Sequence, residues 1–169
     1  MNRKSLLILA AFSTVAAFGQ MTEATMLKNA YNGVKRNVTA MAEAMPEDSY
    51  CYKAVADVRT FGEIIGHIAD AQGRTCAAVA GSKMPASTSG KTSKADLVAA
   101  VKESFDICDG VFNSLSDADA AKMITAGRGG PRSMMGTLWG LVVHSSQEYG
   151  YAAVYLRGKG ITPPNSVRR

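Results

Sequence analysis

A chain of 169 residues with 47% hydrophobic content has enough material for one domain with a real core and too little for two. Its formal charge of +5 is a mild excess that is not gathered into a basic stripe with interleaved aromatics, which argues against a nucleic-acid surface. Few aromatic residues and many Ala, Met and Leu favour helices over strands, because straight-chain side chains lose little rotamer freedom in a helix.

The first segment stands apart. Asn2-Arg3-Lys4 gives a positive start, Ser5 to Phe18 is nearly all apolar, and small residues around Ala17-Phe18-Gly19 offer a cleavage site before Gln20. Residues 1–19 therefore read as a secretory signal, and the expected location is exported, periplasmic or secreted. A membrane anchor is the competing reading, but the apolar run is shorter than the roughly 20 residues a spanning helix needs. No cysteine follows it to carry a lipid, so no stable anchor is expected after cleavage. Cleavage removes Arg3 and Lys4 and no acid, which leaves a mature charge of +3.

Residues 20–165 are expected to form one all-α domain, followed by a short basic tail at 166–169. From Thr22 to Met45, apolar residues recur at Leu27, Tyr31, Val34, Val38, Met41 and Met45, in steps of three and four that keep them on one helical face. Pro46 ends this first helix. A second helix starts at Thr60, with Glu63 completing a capping box, and turns Phe61, Ile64, Ile68, Ala71 and Thr75 inward until Gly81. Gly81 to Thr92 is small and polar, contains Pro85 and Gly90, and reads as a connection without secondary structure. A third helix follows a Ser93 cap and carries Leu97, Val101, Phe105, Cys108, Phe112 and Leu115 at helical spacing. Asp117 to Ile124 adds a short helical turn, and Gly127-Arg128-Gly129-Gly130-Pro131 breaks the chain. The fourth helix starts near Ser133, shows Leu138, Leu141, Ser145, Glu148, Ala152 and Tyr155 on one face, and stops at Gly158 and Gly160. Pro163-Pro164 and the Arg168-Arg169 end read as a tail.

Four amphipathic helices of this length make a four-helix bundle, each burying one stripe against the others. The connection between the second and third helices is long for a bundle. Twelve residues extend to roughly 40 Å, enough to run back along a helix of about 30 Å, so these two helices can lie parallel in an up-down-down-up order. In that arrangement Cys76 and Cys108 fall at nearly the same depth, whereas an antiparallel hairpin would set them about 15 Å apart. A Cys76–Cys108 disulfide with Cys51 free is one expectation; three thiols acting as small hydrophobes is the other.

Candidate chemistry gathers on the only two histidines, His67 in the second helix and His144 in the fourth, with Glu148 one turn after His144 on the same face. A buried carboxylate needs a cation, hydrogen bonds or water. A divalent metal held by His67, His144 and Glu148 would satisfy all three groups; a hydrogen-bonded histidine–glutamate pair without metal is the alternative. Trp139, Tyr149 and Tyr151 receive no functional role, and the Arg128 to Arg132 loop reads as solvated rather than anion-binding. Catalytic Ser/His/Asp sets, phosphate-cradling glycine loops and haem attachment motifs are absent.

Two blocks carry a family resemblance. Arg59-Thr60-Phe61-Gly62-Glu63-Ile64-Ile65-Gly66-His67-Ile68-Ala69-Asp70-Ala71 resembles the second-helix motif of the DinB-like family. His144-Ser145-Ser146-Gln147-Glu148-Tyr149-Gly150, with Val154-Tyr155-Leu156-Arg157 and Ile161-Thr162-Pro163-Pro164, resembles its last helix and tail. The resemblance implies an up-down-down-up bundle and a metal site built from one histidine of the second helix and two side chains four apart in the last. His67 and His144 match; Glu148 stands where the family usually has a third histidine. Two imidazoles and a carboxylate suit zinc, nickel and non-haem iron alike. The functional expectation is a metal-binding protein, either a metal-dependent hydrolase or thiol transferase acting on a small molecule or a non-catalytic binding module, with a structural bundle as a third reading. A homodimer through one bundle face is compatible with this pattern.

Overall fold

The computed structural model describes residues 21–125 and 130–167. The expected signal and cleavage site, most of the glycine break at residues 127–129 and the Arg168-Arg169 end lie outside the described residues. Four long helices form the frame: α1 (Glu23–Ala44), α2 (Phe61–Ala80), α3 (Lys94–Ser114) and α5 (Met134–Gly158). A single helical turn, α4 (Asp117–Ala120), and two short strands, β1 (Met123–Ile124) and β2 (Arg132–Ser133), join α3 to α5.

Local chemistry sets the ends of the long helices. Thr22, Thr60, Ser93 and Ser133 each accept a backbone N–H of the following first turn, and Glu63 returns the bond to Thr60 to complete the capping box. Gly81 ends α2 at φ 64°, a left-handed conformation that glycine adopts without steric penalty.

Helix directions follow from the pairs that touch. Gly62 faces Leu97, Gly73 faces Ser104 and Cys76 is bonded to Cys108, so α2 and α3 ascend together and are parallel. Tyr31 meets Phe112, while Lys94 reaches the carbonyls of Glu43 and Met45, so α1 runs against α3. Tyr155 meets Arg59 and His144 meets His67, so α5 runs against α2. The bundle is therefore up-down-down-up, as the length of the second connection allows.

That connection has no helix or strand, yet it is tied down. Pro85 lies over Gly73, where an added Cβ would sit only 2.5 Å from the proline ring. Lower on α2, Asp70 accepts the backbone N–H of Thr88 at 2.8 Å and the hydroxyl of Ser87 at 3.1 Å. The segment thus runs back down one side of α2 and leaves the other side for α5.

The core is apolar and continuous across all four long helices. Leu27, Tyr31, Val38 and Met41 are buried from α1, with Met45 at its C-terminal cap, and Leu97, Val101, Phe105, Cys108 and Phe112 from α3. Tyr31 stacks on Phe112 with ring centroids 3.8 Å apart and donates its hydroxyl to Asp109 at 2.7 Å. Cys76 and Cys108 form a disulfide with a Cα separation of 5.1 Å, and Cys51 is free and exposed.

Four details differ from the sequence reading. Thr75 is only half-buried, and the fully buried polar residue of α2 is Gln72, whose amide donates to Ser145 of α5 at 2.7 Å. The helical turn after Asp117 stops at Ala120, because Met123–Ile124 pairs instead with Arg132–Ser133. A two-residue pairing is too short to leave an alternating pattern in the sequence. The segment after Gly160 is anchored: Tyr149 donates to Asn165 at 2.9 Å, Asn165 N–H returns to the Tyr149 oxygen at 3.1 Å, and Pro164–Ser166 forms a turn. Finally, Val34 is only partly buried although it falls on the apolar stripe of α1.

Two outcomes test this packing. Mass mapping without reductant should link Cys76 to Cys108, and Cys76→Ala with Cys108→Ala should lower stability by about 3–4 kcal/mol, the chain-entropy value for a separation of 32 residues; a bridge from Cys51 to either partner would contradict the parallel arrangement. Glycine substitutions should differ in sign. Gly73→Ala should destabilise by about 1–3 kcal/mol through its clash with Pro85. Gly110→Ala, which faces open space inside α3, should stabilise by roughly 0.5–1 kcal/mol in urea denaturation.

Candidate metal centre

The antiparallel contact of α2 and α5 brings together the three residues singled out in the sequence. His67 lies two turns into α2, and His144 and Glu148 are one turn apart on α5. Glu148 is buried at 6% exposure, the one acidic or basic side chain so enclosed among the described residues. Both histidines are half-buried, so the carboxylate forms the floor of the site and the imidazoles its rim.

The geometry is tight. The two histidine Nε2 atoms are 3.0 Å apart, and Glu148 Oε1 lies 3.8 Å from that of His67 and 3.9 Å from that of His144. A triangle with these edges has a centre about 2.1 Å from every corner, the length of a zinc–nitrogen or zinc–carboxylate bond. Neither 3.8 Å nor 3.9 Å is a hydrogen bond. The alternative of a hydrogen-bonded histidine–glutamate pair therefore does not match these distances, although the two imidazoles are close enough to hydrogen-bond to each other.

The surroundings fit the same donor set. Arg59 Nη1 is 4.0 Å from Glu148 Oε2, an electrostatic neighbour that partly offsets the carboxylate without bonding to it. Among the described residues Oε2 has no hydrogen-bond partner, and neither does His144 Nδ1. Neither orphaned atom is a corner of the triangle, so an ion at its centre would offset the buried charge of the Glu148 carboxylate without bonding to either. Burial, followed by the positive charge of Arg59, holds His67 below the ordinary imidazole range, so it is neutral at pH 7 and its nitrogen lone pair is available to a metal. Two imidazoles and one carboxylate suit zinc, nickel or non-haem iron.

Three cavities have a triad side chain in their wall: one, of about 380 Å³, lies between α2 and the connection that follows it and includes His67, and two flank the α2–α5 contact; the sequence pattern revealed none of them. Of the flanking pair one, of about 490 Å³, lies between the segment before α2 and the second half of α5, with Glu148 in its wall. The other, of about 370 Å³, lies between the second half of α2 and the first half of α5, with His67 and His144 in its wall. Arg59 belongs to the first and is held by its backbone, whose carbonyl accepts the Tyr155 hydroxyl at 2.7 Å. Tyr151 also faces the first cavity, while Tyr149 serves the anchored segment after Gly160. Trp139 packs against the core. Of the Arg128 to Arg132 loop, Arg132 is described and lines the second cavity.

No curated protein matches the chain. Among solved structures, a DinB-like protein from Bacillus cereus is similar at 17% identity and a TM-score of 0.68, covering 82% of this chain and 93% of that one. A DinB-like protein from Bacillus subtilis, YjoA, is similar at 17% identity and a TM-score of 0.63, covering 81% and 93%. At this identity the likeness speaks for the fold. The family model described as the DinB superfamily matches residues 30–152, a span that runs from α1 through all three residues of the triad. The fold, the matched span and the two sequence blocks agree, and the chain belongs to the DinB superfamily.

Proposed function

We propose that this protein is an exported, divalent-metal-binding four-helix bundle in which His67, His144 and Glu148 hold one ion. The observation that carries the reading is the common point about 2.1 Å from all three donor atoms. Three protein ligands leave a coordination position open, at which a metal acidifies a water or thiol and polarises a carbonyl or phosphoryl group. The two cavities that flank the α2–α5 contact give a small molecule access to that position, which favours a metal-dependent enzyme over a bundle that stores metal without turnover. Export would remove the protein from the small thiols of the cytoplasm, so hydrolysis is favoured over thiol transfer.

Two features support export: the basic start and apolar run of residues 1–18, and the Cys76–Cys108 disulfide. Protein recovered from the envelope or medium should begin near Gln20 or Met21 by N-terminal sequencing. Recovery of mature material with Met1 intact would overturn this part.

The metal reading is tested by composition and stability. Purified protein should hold close to one equivalent of divalent metal. Chelation should lower Tm by roughly 5–10 °C, the shift expected when about 2.7 kcal/mol of binding energy at a hundredfold excess over Kd is removed. His144→Ala should lose most of the ion and Glu148→His should keep it. Glu148→Leu should lose affinity even if the metal-free bundle becomes as stable or more so. Stoichiometric metal in both His144→Ala and Glu148→Leu would move the site elsewhere.

A further inference from the structure

The two cavities that flank the α2–α5 contact differ in chemistry on either side of the triad. The larger one is walled by Val58, Ile64, Tyr151 and Val154, with Arg59 and Asp57 as its charged groups besides Glu148. Three of these apolar side chains stay open to water, at 37% exposure for Val58, 51% for Tyr151 and 57% for Val154. Large apolar groups kept exposed inside a concave surface are the usual lining of a ligand site rather than part of a core. The smaller cavity carries Arg74 and Arg132 with the hydroxyls of Thr75 and Thr137, and no acidic residue lines it. Neither arginine has a carboxylate within ion-pairing distance among the described residues.

The order along the helices sets these cavities end to end along the α2–α5 contact, one on each side of the triad. From Gly136 to Val154, α5 passes from the smaller cavity through His144 and Glu148 to the larger, a rise of about 27 Å. His67 and His144 line one cavity and Glu148 the other, and their donor atoms are within 3.9 Å of each other. The triad therefore sits at the boundary between a basic cavity and an apolar one. The glycines at 136 and 140 leave the floor of the basic cavity low.

We propose that the two cavities act as one groove that binds an amphipathic organic anion: an oxyanion head, phosphate or carboxylate, between Arg74 and Arg132, and an apolar chain against Val58, Ile64, Tyr151 and Val154. Arginine forks match both oxyanions in geometry and charge. The bonds joining head to chain then cross the triad, and this last step alone rests on the metal reading. The ligand class follows from charge complementarity at one end and exposed apolar surface at the other.

The test is calorimetric titration of the full purified chain, as isolated and after chelation, with tetradecyl phosphate and tetradecanoate, whose chains are long enough to reach the larger cavity, below their micelle thresholds and with inorganic phosphate and acetate as headgroup controls. At least one long-chain anion should bind 30-fold or more tightly than its headgroup control, since each methylene buried is worth about threefold to fourfold. The tighter of the two identifies the head. Arg74→Gln and Arg132→Gln should each weaken the long-chain anion about tenfold, and Val154→Asn should weaken it without changing the binding of the headgroup control. All three positions are exposed, so the variants should fold, and each should retain its metal. Long-chain binding no tighter than that of the controls, or unchanged in both arginine variants, overturns the proposal whatever the metal content. Selective long-chain binding in protein that holds no metal supports the groove and removes only the metal reading.

Discussion

The parallel docking of α2 against α3 is the constraint on which the molecule turns. Had the chain returned by a tight turn, α3 would run antiparallel to α2, and Cys76 and Cys108 would stand far out of register. The long connection instead descends along α2, with Pro85 over Gly73 and Thr88 held by Asp70. This occupies one side of α2 and leaves the side bearing His67 to α5. Close approach at Gly73 is therefore as much a part of the site as the histidine, because it fixes which way α2 is turned.

Once α2 and α5 are joined, Glu148 becomes the electrostatic problem at their junction. Its carboxylate is buried, its Oε2 has no hydrogen bond among the described residues, and Arg59 is 4.0 Å away. Removing a carboxylate from water costs several kcal/mol in real proteins, more than one loosely placed guanidinium returns. The neutral Gln72–Ser145 pair on the same interface shows the contrast: it is fully buried and closes its hydrogen bond at 2.7 Å. One polar contact fastens the helices, and the other is left in need of positive charge.

Much of this was legible in the sequence, for reasons that can be named. Thr60 with Glu63, Ser93 and Ser133 mark helix starts because their side chains replace missing backbone acceptors, and the structure uses each of them. The spacing of His144 and Glu148 put both on one face, and the expected disulfide followed from the depth of each cysteine in parallel helices. What escaped detection depends on contacts between distant segments. Gln72 carries no local signal of its burial because its partner, Ser145, lies on another helix. The β1–β2 pairing is two residues long, and the anchoring of Asn165 depends on Tyr149 across a turn. The groove was invisible for the same reason: Val58 and Val154, or Arg74 and Arg132, become neighbours only after folding.

The disulfide has a topological effect beyond holding two helices in register. Cys76 and Cys108 close a covalent ring that contains the last turn of α2, the whole of the connection and most of α3. A protease that cut the chain anywhere between residues 81 and 92, the longest irregular stretch inside that ring, would open the ring without releasing either piece. Both halves of the bundle would remain attached, and His67 would still face His144 and Glu148. Were the protein exported to a compartment where proteases are abundant and repair is absent, this would give it a site whose integrity does not require an unbroken backbone.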